Sequence, residues 1–111
     1  RPDFALLVGP EELLVESVLA GGHGGICGGA NLCPELYVAA YQAARAGKLP
    51  EAQALHRRIM AIAGSVYAVG RHGSSYLKGL KCALSLRGIC SDFMAEPFHH
   101  FRGKKRPRQS V

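Results

Sequence analysis

Only two segments of this 111-residue chain read as strands, both lie before residue 30, and everything after Gly47 reads as helix or irregular chain. That imbalance constrains the fold more than any single motif does. Phe4 to Val8, FALLV, is an unbroken apolar run that Gly9-Pro10 stops. An unbroken rather than alternating run predicts a strand covered on both faces, as in a parallel sheet. Glu11 and Glu12 follow Pro10, and a helix start favours an early proline and first-turn carboxylates. Leu13, Leu14, Val18 and Leu19 then fit a short helix that Gly21-Gly22 ends. The segment GGICG offers a second short strand. From Cys33 another helix starts, with Pro34 and Glu35 in its first turn and Leu36, Ala39, Ala40 and Ala43 toward one side, ending near Gly47. Strand, helix, strand, helix is the order of parallel α/β architecture. Two parallel strands alone leave their edges unpaired, so a longer protein or a partner is expected to complete the sheet.

Downstream, Pro50 and Glu51 open a longer helix in which Leu55, Ile59, Ile62 and Val66 recur at helical spacing. Gly70 to Gly73, GRHG, interrupts it. A further helix is expected from Ser74, a good capping residue, through Tyr76, Leu77, Leu80, Ala83, Leu84 and Leu86 to Gly88. The following ICSDFMAEPFHHFR has no clean period and is expected to lie irregularly against these helices. The net charge is +6, but Arg102, Lys104, Lys105, Arg106 and Arg108 carry five of those units. The basicity therefore belongs to the ending rather than the body, and no aromatic residue is interleaved there for base stacking. A solvated tail is favoured over a nucleic-acid site. No apolar run approaches the ~18 residues of a membrane helix. The four cysteines lack Cys-x-x-Cys spacing and no signal-peptide pattern opens the chain, which points to a reducing, cytoplasmic setting.

Gly21 to Gly29 holds six glycines in nine residues. A dinucleotide fingerprint fails here: GHGGIC lacks the last glycine and GICGGA the third position. A P-loop fails too, because no Gly-Lys-Ser/Thr closes the loop. What remains is physical: Gly28 and Gly29 follow the second strand at its carboxyl end, where parallel α/β folds place ligands and where bare backbone can approach one closely. Against this stands a tight turn made only for packing. His23, His56, His72, His99 and His100 show no ligand spacing, so no metal is expected. Tyr37, Tyr41, Tyr67 and Tyr76 are expected to pack at interfaces or grooves rather than to do acid–base chemistry.

The order of these pieces resembles the dihydrodipicolinate synthase and N-acetylneuraminate lyase family. The resemblance is carried by Phe4 to Gly9 with AGGHGGICGGANLCPELYVAAYQAARAGKLPEAQAL, and by GSSYLKGLKCALSLRGICSDFMAEPF, covering Phe4 to Phe98. It implies an α/β chain that is the C-terminal fragment of a TIM (β/α)8 barrel. Residues 1–47 would be its last two strand–helix units, 48–101 a C-terminal helical extension, and 102–111 a basic tail. It implies a class I aldolase-type lyase of the cytoplasm that forms a Schiff base between a lysine and pyruvate, assembles as a homo-oligomer and uses no cofactor. The family's lysine and tyrosine would precede Arg1, so no catalytic residue is expected here and the chain alone should be inactive. Lys48, Lys78 and Lys81 are expected to be solvated or helix-surface charges. Substrate contacts are implied at Gly9, at Ile26 through its backbone, and at Gly28 and Gly29. Two small residues there leave room for a longer tail, a mild pointer to a 2-keto-3-deoxy sugar acid over a dihydrodipicolinate precursor. A noncatalytic scaffold of the same lineage and a small basic nucleic-acid-binding protein are the alternatives.

Overall fold

The computed structural model describes residues 2–67 and 75–98. The Gly70–Gly73 break with His72, the expected cap Ser74, His99, His100 and the basic tail lie outside the described residues. The described chain is mostly helical, with one small parallel sheet, and divides into two compact units between Met60 and Ala61.

In the first unit, strand β1 (Leu7–Val8) pairs in parallel with β2 (Gly24–Gly25), with Leu7 opposite Gly24 and Val8 opposite Gly25. β1 is shorter than its apolar run, and β2 consists of the two glycines that open GGICG rather than of its apolar centre Ile26-Cys27. A Cβ on Gly25 would lie 2.9 Å from Leu14 Cδ1, 3.0 Å from Cys27 Sγ and 3.1 Å from the Val8 carbonyl oxygen, so only a bare backbone fits at this position. Further main-chain bonds flank the pair: His23 N–H donates to Leu6 O and Ile26 N–H to Val8 O, each at 2.9 Å.

After β1 the chain enters a 3-10 turn, Glu11–Leu13, and continues as α1 (Leu14–Leu19). The tighter winding of that turn shifts the phase of the buried stripe. Glu11, Leu14, Val15 and Val18 face inward, while Leu13 and Leu19, expected inside, are exposed. Gly21 (φ +105°) stops α1, its N–H donating to Val18 O and that of Gly22 to Ser17 O. This paired closure leaves the next residue free to enter β2. A second 3-10 turn, Gly28–Asn31, leads to α2 (Pro34–Arg45) with Pro34 at its first position. Leu36, Tyr37, Ala40, Ala43 and Ala44 are buried on α2, and Gly47 closes it with the same pattern as Gly21. Helix α3 spans Leu49–Ile62.

The second unit contains a π-helical turn, Ala63–Tyr67, and α4 (Ser75–Leu86). Gly79 lies directly on the Val66 carbonyl, which leaves no space for a side chain. The Tyr67 and Tyr76 rings pack with centroids 4.4 Å apart and their planes tilted by 59°. The buried Ile59, Ile62 and Val66 match the expected stripe. Past α4 the backbone is irregular as expected, but Ile89 and Phe93 are exposed rather than packed.

Candidate functional site

Because β1 and β2 run in parallel, the turns that follow them emerge at the same end of the sheet. The first carries Gly9 and the second Ile26, Gly28 and Gly29, so all the expected contact residues fall on two neighbouring strand-to-helix turns. Gly9 is exposed, with nothing within 4 Å of where a side chain would begin. Ile26 is 76% exposed, and its N–H is committed to Val8 O; a ligand would meet its carbonyl or side chain. Gly28 is half-buried, and its carbonyl accepts from Asn31 Nδ2 at 2.9 Å, which holds the turn closed.

Gly29 is buried, and its surroundings differ from the open space anticipated at this position. Its N–H donates to Glu11 Oε1 at 3.2 Å. A Cβ here would collide with the Tyr37 hydroxyl and come within 2.5 Å of Glu11 Oε2. The room left by the missing side chain is thus filled by the protein's own groups, and the amide is not free for a ligand's carboxylate. Glu11 itself is 2% exposed, and the Tyr37 hydroxyl donates to its Oε2. Sequence position marks Glu11 as a first-turn acid and Tyr37 as an interface- or groove-packing ring, yet both are buried and bonded to each other. One signal was present: Glu11 stands three, four and seven residues before Leu14, Val15 and Val18, on the stripe that the helix buries.

Other candidates resolve locally. His23 Nδ1 accepts the Leu6 N–H at 2.9 Å, so its ring braces the start of β1. Burial pushes the Cys27 thiol up to about 11, with the charges of Glu11 and Glu12 adding to the effect, which makes it a poor nucleophile. Lys48 is exposed as expected, but Lys78 is buried, because α4 buries the wide arc Lys78–Leu80 and Cys82–Leu84. Arg45 Nη1 donates to the Tyr41 hydroxyl at 2.7 Å one turn away. Among the described residues no cluster of three His, Cys, Asp or Glu side chains could hold a metal, and no helix is long and apolar enough to cross a membrane.

Parallel strands whose following turns converge at one end, with a helix after each, define a βαβα unit of the α/β class. The match with known proteins narrows this class. Residues 1–110 match the model of the dihydrodipicolinate synthetase family, and the chain belongs to that family. A solved structure of dihydrodipicolinate synthase from Bacteroides thetaiotaomicron is 60% identical, with a TM-score of 0.88 over 91% of this chain and 34% of that one. A probable 2-dehydro-3-deoxy-D-pentonate aldolase of Escherichia coli is 36% identical over 62% of this chain and 23% of its own length. An uncharacterized DapA-like lyase of Thermococcus kodakarensis is 29% identical over 95% of this chain and 35% of its own. The chain therefore spans about a third or less of the relatives it matches.

Proposed function

We propose that this chain is the last two strand–helix units, residues 1–47, and the helical extension, residues 48–101, of a (β/α)8-barrel lyase or synthase acting on pyruvate and related 2-oxo acids. The observation that carries this reading is the state of the sheet. Phe4, Leu6 and Leu7, in and just before β1, are 60%, 58% and 50% exposed in an apolar run whose sequence calls for two covered faces. Beside them an apolar groove of about 320 Å³ runs along β2 and α2, with Leu7, Tyr37, Val38 and Tyr41 in its lining. Neighbouring barrel strands and their helices would cover these surfaces. Membership of the dihydrodipicolinate synthetase family supports the same conclusion.

In the intact protein a lysine supplied from outside this chain attacks the pyruvate carbonyl. Loss of water from the carbinolamine gives a protonated imine, which acts as the electron sink for carbon–carbon bond formation or cleavage. This chain's part is backbone presentation: the turns at Gly9 and at Ile26–Gly29 line the carboxyl end of the sheet, where barrel enzymes hold their substrates. The 60% identity to a dihydrodipicolinate synthase supports the synthase branch, and the filled space at Gly29 removes the reason for preferring a long sugar-acid tail. Cytoplasmic location and homo-oligomeric assembly belong to the same proposal.

Borohydride reduction of the full-length protein in the presence of pyruvate tests this reading. A lysine adduct is expected, mapping outside residues 1–111. Absence of any adduct, or an adduct on Lys48, Lys78 or Lys81, would refute it.

A further inference from the structure

We infer that Glu11 and Tyr37 are positioning residues that clamp the Ile26–Gly29 turn in register with the Gly9 turn, and so set the affinity of the site for its 2-oxo acid. The inference rests on the lyase reading above. Glu11 follows Gly9-Pro10 directly, and its carboxylate crosses to the other turn, where Oε1 accepts the Gly29 N–H and Oε2 the Tyr37 hydroxyl. One side chain thus ties together the two turns that carry every expected contact residue, and anchors both to α2.

The chemistry argues that the tie is more than packing. Among the described residues both donors to Glu11 are neutral, and a carboxylate 2% exposed with only neutral donors is a costly choice on a stripe otherwise made of Leu14, Val15 and Val18. An apolar residue would fill the volume more cheaply. What an apolar side chain cannot do here is hold the Gly29 amide and the Tyr37 hydroxyl at the same time. Asn31 locks the same turn from its other side through the Gly28 carbonyl, so the turn is held at both ends while Gly28 stays half-buried. Gly29 is part of the device, because any side chain would displace Glu11 from Tyr37.

The test uses the full-length protein and pyruvate, with borohydride trapping followed as a function of pyruvate concentration. Glu11→Ala should raise the half-saturating concentration about tenfold and Tyr37→Phe about threefold, while the limiting trapping rate stays within about twofold. Glu11→Gln keeps the shape and the acceptor for Gly29, and its amide can donate to Tyr37; it should behave like wild type. Unchanged half-saturation in both Glu11→Ala and Tyr37→Phe would overturn the inference, as would a fall in limiting rate with no change in half-saturation. Should Glu11→Ala not fold, Tyr37→Phe carries the same comparison. Should the wild type itself trap no pyruvate, the lyase reading fails separately. The clamp is then judged by amide exchange: Tyr37→Phe should speed exchange at Gly29 about tenfold, and an unchanged rate would refute it.

Discussion

Replacing Gly29 by alanine asks whether the Glu11–Tyr37–Gly29 arrangement is as tightly closed as its geometry states. The new methyl would sit 2.5 Å from Glu11 Oε2 and 2.6 Å from Tyr37 Cζ, against side chains only 2% and 4% exposed. Neither can swing into solvent. Overpacking of this kind costs ~1–3 kcal/mol, and loosening a buried hydrogen bond to a charged group costs a further ~1.5–3 kcal/mol. The two effects share atoms and do not simply add, so about 3–5 kcal/mol is expected in all. Gly9→Ala is the internal control, since nothing lies within 4 Å of that position, and it should change stability by no more than about 0.5 kcal/mol. Urea unfolding of the full-length protein, followed by circular dichroism, measures both. With a slope of ~2 kcal/mol per molar urea, Gly29→Ala should lower the midpoint by about 1.5 M or more. A Gly29→Ala midpoint equal to that of Gly9→Ala would refute the reasoning.

The other expectations concern different parts of the chain. Gly79→Ala should destabilise by ~1–3 kcal/mol or more, because its methyl would meet the backbone carbonyl of Val66, which cannot rotate away as a side chain could; equilibrium unfolding checks this. Ile59→Ala should cost ~2–5 kcal/mol, since Ile59 is 0% exposed, and the same unfolding assay reads it. At pH 8 a thiol-alkylating reagent should label exposed Cys90 and spare Cys27, whose rise from 9.0 to about 11 leaves about a hundredfold less thiolate. Because the folded thiol holds its proton to higher pH than the unfolded one, the stability it contributes is complete below pH 9 and falls between 9 and 11. A denaturation midpoint in Cys27→Ala that falls over this range as steeply as in wild type would contradict that assignment.

Much of the architecture was legible in the sequence for local reasons. Gly21, Gly47 and Gly88 each close a helix where the residue order places them, and Pro34 opens α2 at its first position. The four-three-four spacing of Leu55, Ile59, Ile62 and Val66 survives because Ile59, Ile62 and Val66 are all buried. What escaped was set by contacts between distant residues. The need for a bare backbone at Gly25 depends on Leu14, Cys27 and Val8 lying against it, and the stripe of α1 depends on a 3-10 entry that no period reveals. The pairing of Glu11 with Gly29 and Tyr37 joins positions 18 and 26 residues apart. An acid beside a proline reads as a helix-start charge unless its place on the buried stripe is weighed as well.

The claim on which everything turns is that β1 and β2 form part of a wider parallel sheet, and Leu6→Ala in the full-length protein tests it most directly. Leu6 is 58% exposed in this chain. If further strands and helices cover it, the substitution should cost ~2–5 kcal/mol in an unfolding titration, as for a core leucine. A loss within ~0.5 kcal/mol, as for an ordinary surface position, would contradict the account.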